Sequence, residues 1–179
     1  MDDFEKKIFV RKIYDIVNSI EKPKPGKNFV ESIYSQINDL AEKQEFEINE
    51  YKKFELFKVY KGETPIACFE IQFGSKKDSY RSINILSQAE ALIGVYITSS
   101  KSRGLPIPQI INSFSHFDNK PEMFIAYDIE TGHHMMTGFD SAHEKMNLYN
   151  KINLGFGPKK FIKTYSKKRK KIVYGKKQS

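Results

Sequence analysis

The sequence predicts an α/β fold: one domain built on a mixed central sheet, with an extra helix at its N-terminus and a basic arm at its C-terminus. Three observations lead there. Two early segments carry apolar residues at helical spacing, three β-favouring runs then follow in close succession, and a helical and a strand pattern come after them. The order over residues 28 to 98 is therefore helix, three strands, helix, strand.

Phe4, Ile8, Phe9, Ile13, Ile16, Val17 and Ile20 recur at helical spacing over residues 3 to 20, and Pro23 and Pro25 end that segment. Asn28 can cap a second amphipathic helix, whose Phe29, Val30, Ile33, Tyr34, Ile37, Leu40 and Ala41 form one stripe to about residue 43. Phe46 and Ile48 alternate with acids, and Phe54 to Tyr60 is rich in aromatic and β-favouring residues. Lys61-Gly-Glu-Thr64 reads as a hairpin loop and Pro65 to Phe73 as a third strand, so the meander is antiparallel. A helix capped by Asp78 or Ser79 follows, burying Ile83, Leu86, Ala89, Ala91 and Leu92, and Gly94 to Thr98 reads as a strand. Residues 99 to 108, with Gly104, Pro106 and Pro108, read as a loop. Met123 to Tyr127 reads as a strand and Ser141 to Tyr149 as a helix.

The third strand carries the most informative residues. Glu70 and Gln72 stand two apart in an apolar run and therefore point to one side. An edge strand facing solvent accounts for the pair, and so does a site where Glu70 holds a divalent cation and Gln72 positions water. Gln72 has no titratable proton and cannot be a general base. Lys76, Lys77 and Arg81 follow at once, either as phosphate clamps or as surface charge.

This order of elements, with Glu70-Ile-Gln72 on its third strand, resembles the core of PD-(D/E)XK, or restriction-endonuclease-like, nucleases over residues 28 to 98. The doublet resembles the Glu-x-Gln variant of some type II restriction enzymes. The resemblance implies that Glu70 and an acid on the second strand bind Mg2+, with Mn2+ as a possible substitute. This chain has no aspartate between Tyr51 and Gly62, so Glu55 is the best candidate there, in register with Phe57 and Val59; pairing with Lys52 or Lys53 is its other reading. Glu31 on the preceding helix is a further candidate catalytic acid, or a partner of the positive helix end.

Composition bounds the rest. The chain has 179 residues, enough for one compact domain, expected over 1–157 with an arm over 158–179. Cys68 is its one cysteine, which excludes an intramolecular disulfide and suits a reducing, cytoplasmic setting. The start Met1-Asp-Asp-Phe-Glu5 has no secretory h-region, and no apolar stretch approaches the roughly 20 residues of a membrane span. His133, His134 and His143, with Asp140, match no zinc spacing, so the three read as ordinary histidines, and no phosphate-loop spacing occurs.

Net charge is +8, and it is unevenly placed. Ten of the 30 basic residues lie after Pro158, where there is no acid; the body is left with 20 against 22 acids. Lys167, Lys168, Arg169, Lys170 and Lys171 form the densest run, suited to a phosphate backbone, though a solubilising tail has the same charge. Interleaved Phe161, Ile162, Tyr165, Ile172, Val173 and Tyr174 favour the binding role. The expectation is a magnesium-dependent endodeoxyribonuclease acting on DNA as a homodimer, with no membrane partner. The alternative is a non-catalytic nucleic-acid-binding protein that uses its arm.

Overall fold

Strand pairing organises the chain. The computed structural model describes residues 1–24, 28–52, 55–117 and 121–138, with backbone alone at 50–52. The elements are α1 (Asp3–Asn18), α2 (Phe29–Lys43), β1 (Glu47–Lys52), β2 (Leu56–Lys61), β3 (Thr64–Ile71), α3 (Lys76–Ser87), β4 (Ile93–Thr98), α4 (Ile107–Phe114), β5 (Met123–Asp128) and β6 (His133–Gly138). Among the described residues the strands form one six-stranded sheet in sequential order. β1, β2 and β3 pair antiparallel, β3, β4 and β5 pair parallel, and β6 returns antiparallel to β5. The described fold lies within the unit Met1–Phe139. The boundary expected at 157/158, the helix expected over Ser141–Tyr149 and the arm lie outside the described residues.

Local chemistry explains most boundaries. Asp2 and Glu5 close a capping box at the start of α1. Asn28 occupies the N-cap of α2 without a side-chain bond. Gly62, at φ +59°, leads the two-residue turn between β2 and β3, where hairpins take glycine. The register shifts beside Pro65, which has no N–H to give to the ladder. α3 starts earlier than its sequence suggested: Ser75 is the N-cap and Asp78, three residues on, returns a bond to the Ser75 N–H at 2.8 Å.

Two further elements differ from expectation. Pro106 and Pro108 open α4 rather than forbid it, because a helix's first turn has no intrahelical use for their missing N–H groups. Ile107, Ile110 and Phe114 then recur at helical spacing and are buried. β6 was not foreseen as a strand; Gly132, at φ +66°, turns the chain, and His134 and Met136 alternate inward against exposed or half-buried neighbours.

Apolar side chains cover both faces of the sheet. On one face Phe57 and Phe69 stack at 5.2 Å, with Tyr34 of α2 edge-on to Phe57 at 5.0 Å. Tyr14 of α1 bonds His134 at 2.9 Å, and burial holds that histidine below its ordinary pKa. On the other face Ile83 and Leu86 of α3 and Ile110 and Phe114 of α4 pack on Cys68, Tyr96 and Phe124. Gly94 leaves room there: a Cβ would meet the Phe124 ring at 3.0 Å. No helix among the described residues is long and apolar enough to cross a membrane.

Phe69→Ala should cost about 3–5 kcal/mol of stability, because the stacked ring is fully buried and leaves a cavity; urea unfolding measures it. Burial pushes the Cys68 thiol from its ordinary 9.0 up to about 12. Its share of stability is present below 9.0 and is lost as pH rises towards 12. The native thiol should therefore ignore a thiol reagent near neutral pH and react on unfolding, while Cys68→Ala should lose less stability than the parent on passing into alkali.

Candidate functional site

β3 is an interior strand, so Glu70 is not a solvent-facing residue of a sheet edge. Glu70 sits in the ladder between Leu56 of β2 and Tyr96 of β4, and only 7% of it is exposed. Burying a carboxylate is costly unless donors meet it. Ser82, one turn into the buried side of α3, donates its hydroxyl to Glu70 Oε1 at 2.5 Å.

A polar layer continues beside that bond. Tyr96 Oη donates to Ser79 Oγ at 3.1 Å, and the Leu105 N–H donates to the same oxygen at 3.1 Å. Ser79 in turn donates to the Ser75 carbonyl at 3.3 Å. Gly104 lies close above: a Cβ there would stand 2.8 Å from Ser79 Oγ. The loop after β4 is thus seated on the first turns of α3.

Gln72 lies just past β3, and its N–H still reaches the Ile97 carbonyl at 2.9 Å. Its side-chain oxygen accepts from the Gly74 N–H at 2.8 Å, leaving the amide NH2 as its outward polar group. Gly74 has no room for a side chain, since a Cβ would meet Asp78 Oδ2 at 2.5 Å. The Ser75 hydroxyl, then the Ser75 N–H, hold the Asp78 carboxyl below its usual range. Lys76, Lys77 and Arg81 are exposed on the first two turns of α3.

The other expected acids stand apart from this group. Glu55 is exposed and immediately precedes β2; its carbonyl accepts from the Ile71 N–H at 2.8 Å. Leu56, rather than Glu55, is therefore the residue across from Glu70, and strand alternation puts position 55 with Phe57 and Phe69. The register with Phe57 and Val59 that recommended Glu55 in the sequence assigns it to the other face. Glu31 is exposed in the first turn of α2, a helix that packs over Phe57 through Tyr34. Phe29 touches Phe73 at 5.2 Å, so that first turn lies beside the chain leaving β3. Lys167, Lys168, Arg169, Lys170 and Lys171 lie outside the described residues, as do Asp140 and His143.

Among the described residues no three His, Cys, Asp or Glu converge on a point that could hold a metal. Magnesium does not require such a cage, because it keeps several waters and often takes one or two carboxylates plus substrate phosphate oxygens. Glu70 is the carboxylate of this polar layer that such a mode would use.

Sequence reasoning missed Ser79, Ser82, Tyr96 and Asp128. Asp128 is buried at the end of β5 and accepts from the Ser100 N–H at 2.9 Å, the Glu130 N–H at 3.0 Å and the Thr131 hydroxyl at 2.7 Å. The available signal was serine at 75, 79 and 82, recurring on the stripe that also holds Leu86. Ser82→Ala should cost about 1–3 kcal/mol in urea unfolding by removing the buried donor to Glu70, and an unchanged midpoint would refute that bond's importance.

No protein-family model, curated protein or solved structure matches the chain.

Proposed function

We propose that the chain is a magnesium-dependent endodeoxyribonuclease with a restriction-endonuclease-like core. The supporting observation is the placement of Glu70: a buried carboxylate near the C-terminal end of β3, in the order α2-β1-β2-β3-α3-β4, followed at once by a cationic helix turn. The ends of parallel strands are where open α/β sheets usually hold ligands.

In this reading Glu70 holds magnesium and Ser82 orients its carboxylate. When bound, the ion polarises a phosphate oxygen and acidifies a bound water. The Gln72 amide hydrogens hold water by hydrogen bonding, and Lys76, Lys77 and Arg81 neutralise phosphate charge. Glu31 and Glu55, on the far side of β3, supply acids only by reaching around its end. Paired cuts in duplex DNA call for two copies of the chain.

A second reading has its own support. Glu70 is nearly enclosed and bonded to Ser82, which also describes a carboxylate tying α3 to the sheet without chemistry. The chain is then a nucleic-acid-binding protein, and binding depends on the residues after Pro158 and on salt but not on a divalent ion.

Plasmid nicking separates the two. The parent should nick DNA with Mg2+ and stop when the ion is chelated. Glu70→Gln, which keeps an acceptor for Ser82, should lower the rate on the order of a hundredfold or more. Equal nicking by parent and variant rejects the nuclease reading.

A further inference from the structure

We propose that Tyr80 is a stacking platform for an unpaired DNA base, so that the chain prefers DNA with a single-stranded segment over an intact duplex. The inference rests on the reading of the chain as a nucleic-acid-binding protein, catalytic or not, and concerns which form of DNA it takes.

Tyr80 lies on α3 and is 51% exposed, one of four exposed large hydrophobic side chains among the described residues. The other three, Met1, Phe4 and Ile8, belong to the N-terminal end of the chain, where Phe4 sits among Asp2, Asp3 and Glu5. A single exposed apolar residue is ordinary. The neighbours of Tyr80 set it apart.

Positions 76, 77, 80, 81 and 84 share one helical stripe, and Lys76, Lys77, Tyr80, Arg81 and Asn84 are all exposed on it. Asp78, the one acid in α3, is occupied by the Ser75 N–H and hydroxyl. Arg103 is a further exposed cation, on the loop whose Gly104 and Leu105 rest on Ser79 of the same helix. An aromatic face thus stands among cations at the C-terminal ends of the parallel strands. Nonspecific single-strand sites have this composition: cations follow the phosphates and an aromatic ring stacks a base of any identity. An intact duplex keeps its bases stacked on each other and offers this ring only backbone.

The test uses the full chain with divalent ions chelated, so that binding is read without cleavage. Fluorescence anisotropy compares a labelled single strand, a duplex of the same sequence and a duplex with a single-stranded gap. Tyr80→Ala should weaken single-strand and gapped binding about tenfold and leave duplex binding unchanged, while Tyr80→Phe should keep the parent's affinities. The chain has no tryptophan, so Tyr80→Trp adds a sole reporter. Its emission should be quenched by the single strand and not by the duplex. Equal losses on all three DNAs, or no loss, overturn the stacking role while leaving nucleic-acid binding in place. Failure of the parent to bind any of the three overturns both.

Discussion

Parallel pairing of β3 with β4 is the constraint on which the other features depend. Two parallel neighbours cannot be joined by a tight turn, so the chain must leave the end of β3, cross a face of the sheet and return to the start of β4. α3 makes that crossing, and its buried stripe is thereby laid against the strand it has just left. Ser79 and Ser82 reach Tyr96 and Glu70 for this reason. The same pairing makes β3 an interior strand with both faces covered, which turns a charged residue in it from a surface detail into an energetic problem.

The solution to that problem is local. A carboxylate with little access to water needs donors, and the Ser82 hydroxyl on α3 is one. Cys68, two residues earlier on the same face, belongs to one apolar cluster with Ile83, Leu86 and Phe124, which shows how apolar the surroundings are. The proposed metal binding and a purely structural anchoring would thus draw on one geometry.

The fold was legible wherever a period was undisturbed. Ile33 and Ile37 mark the core side of α2, and Phe57 and Val59 mark that of β2, because each element has one buried side and a regular repeat. α4 was obscured by its prolines, whose meaning depends on position: fatal in a helix interior, harmless in the first turn. β6 was obscured because the histidine and methionine pairs at 133 to 136 hide an alternation that appears only when one of each pair is inside. At the site, Glu70 and Gln72 stood out as polar residues in an apolar run. Register is what the sequence could not supply for Glu55. A shift of one residue changes the face of every side chain, and only the pairing of Leu56 with Glu70 decides it.

Asp128 ties together two segments that are far apart in the chain. Its carboxylate gathers the loop after β4, through the Ser100 N–H, and the turn before β6, through Glu130 and Thr131. Ser100 and Asp128 are 28 residues apart, so that loop cannot take its final form until β5 has joined the sheet. The Ser100 end of the loop thus depends on a later strand, while its Gly104 and Leu105 end is held by Ser79 of α3.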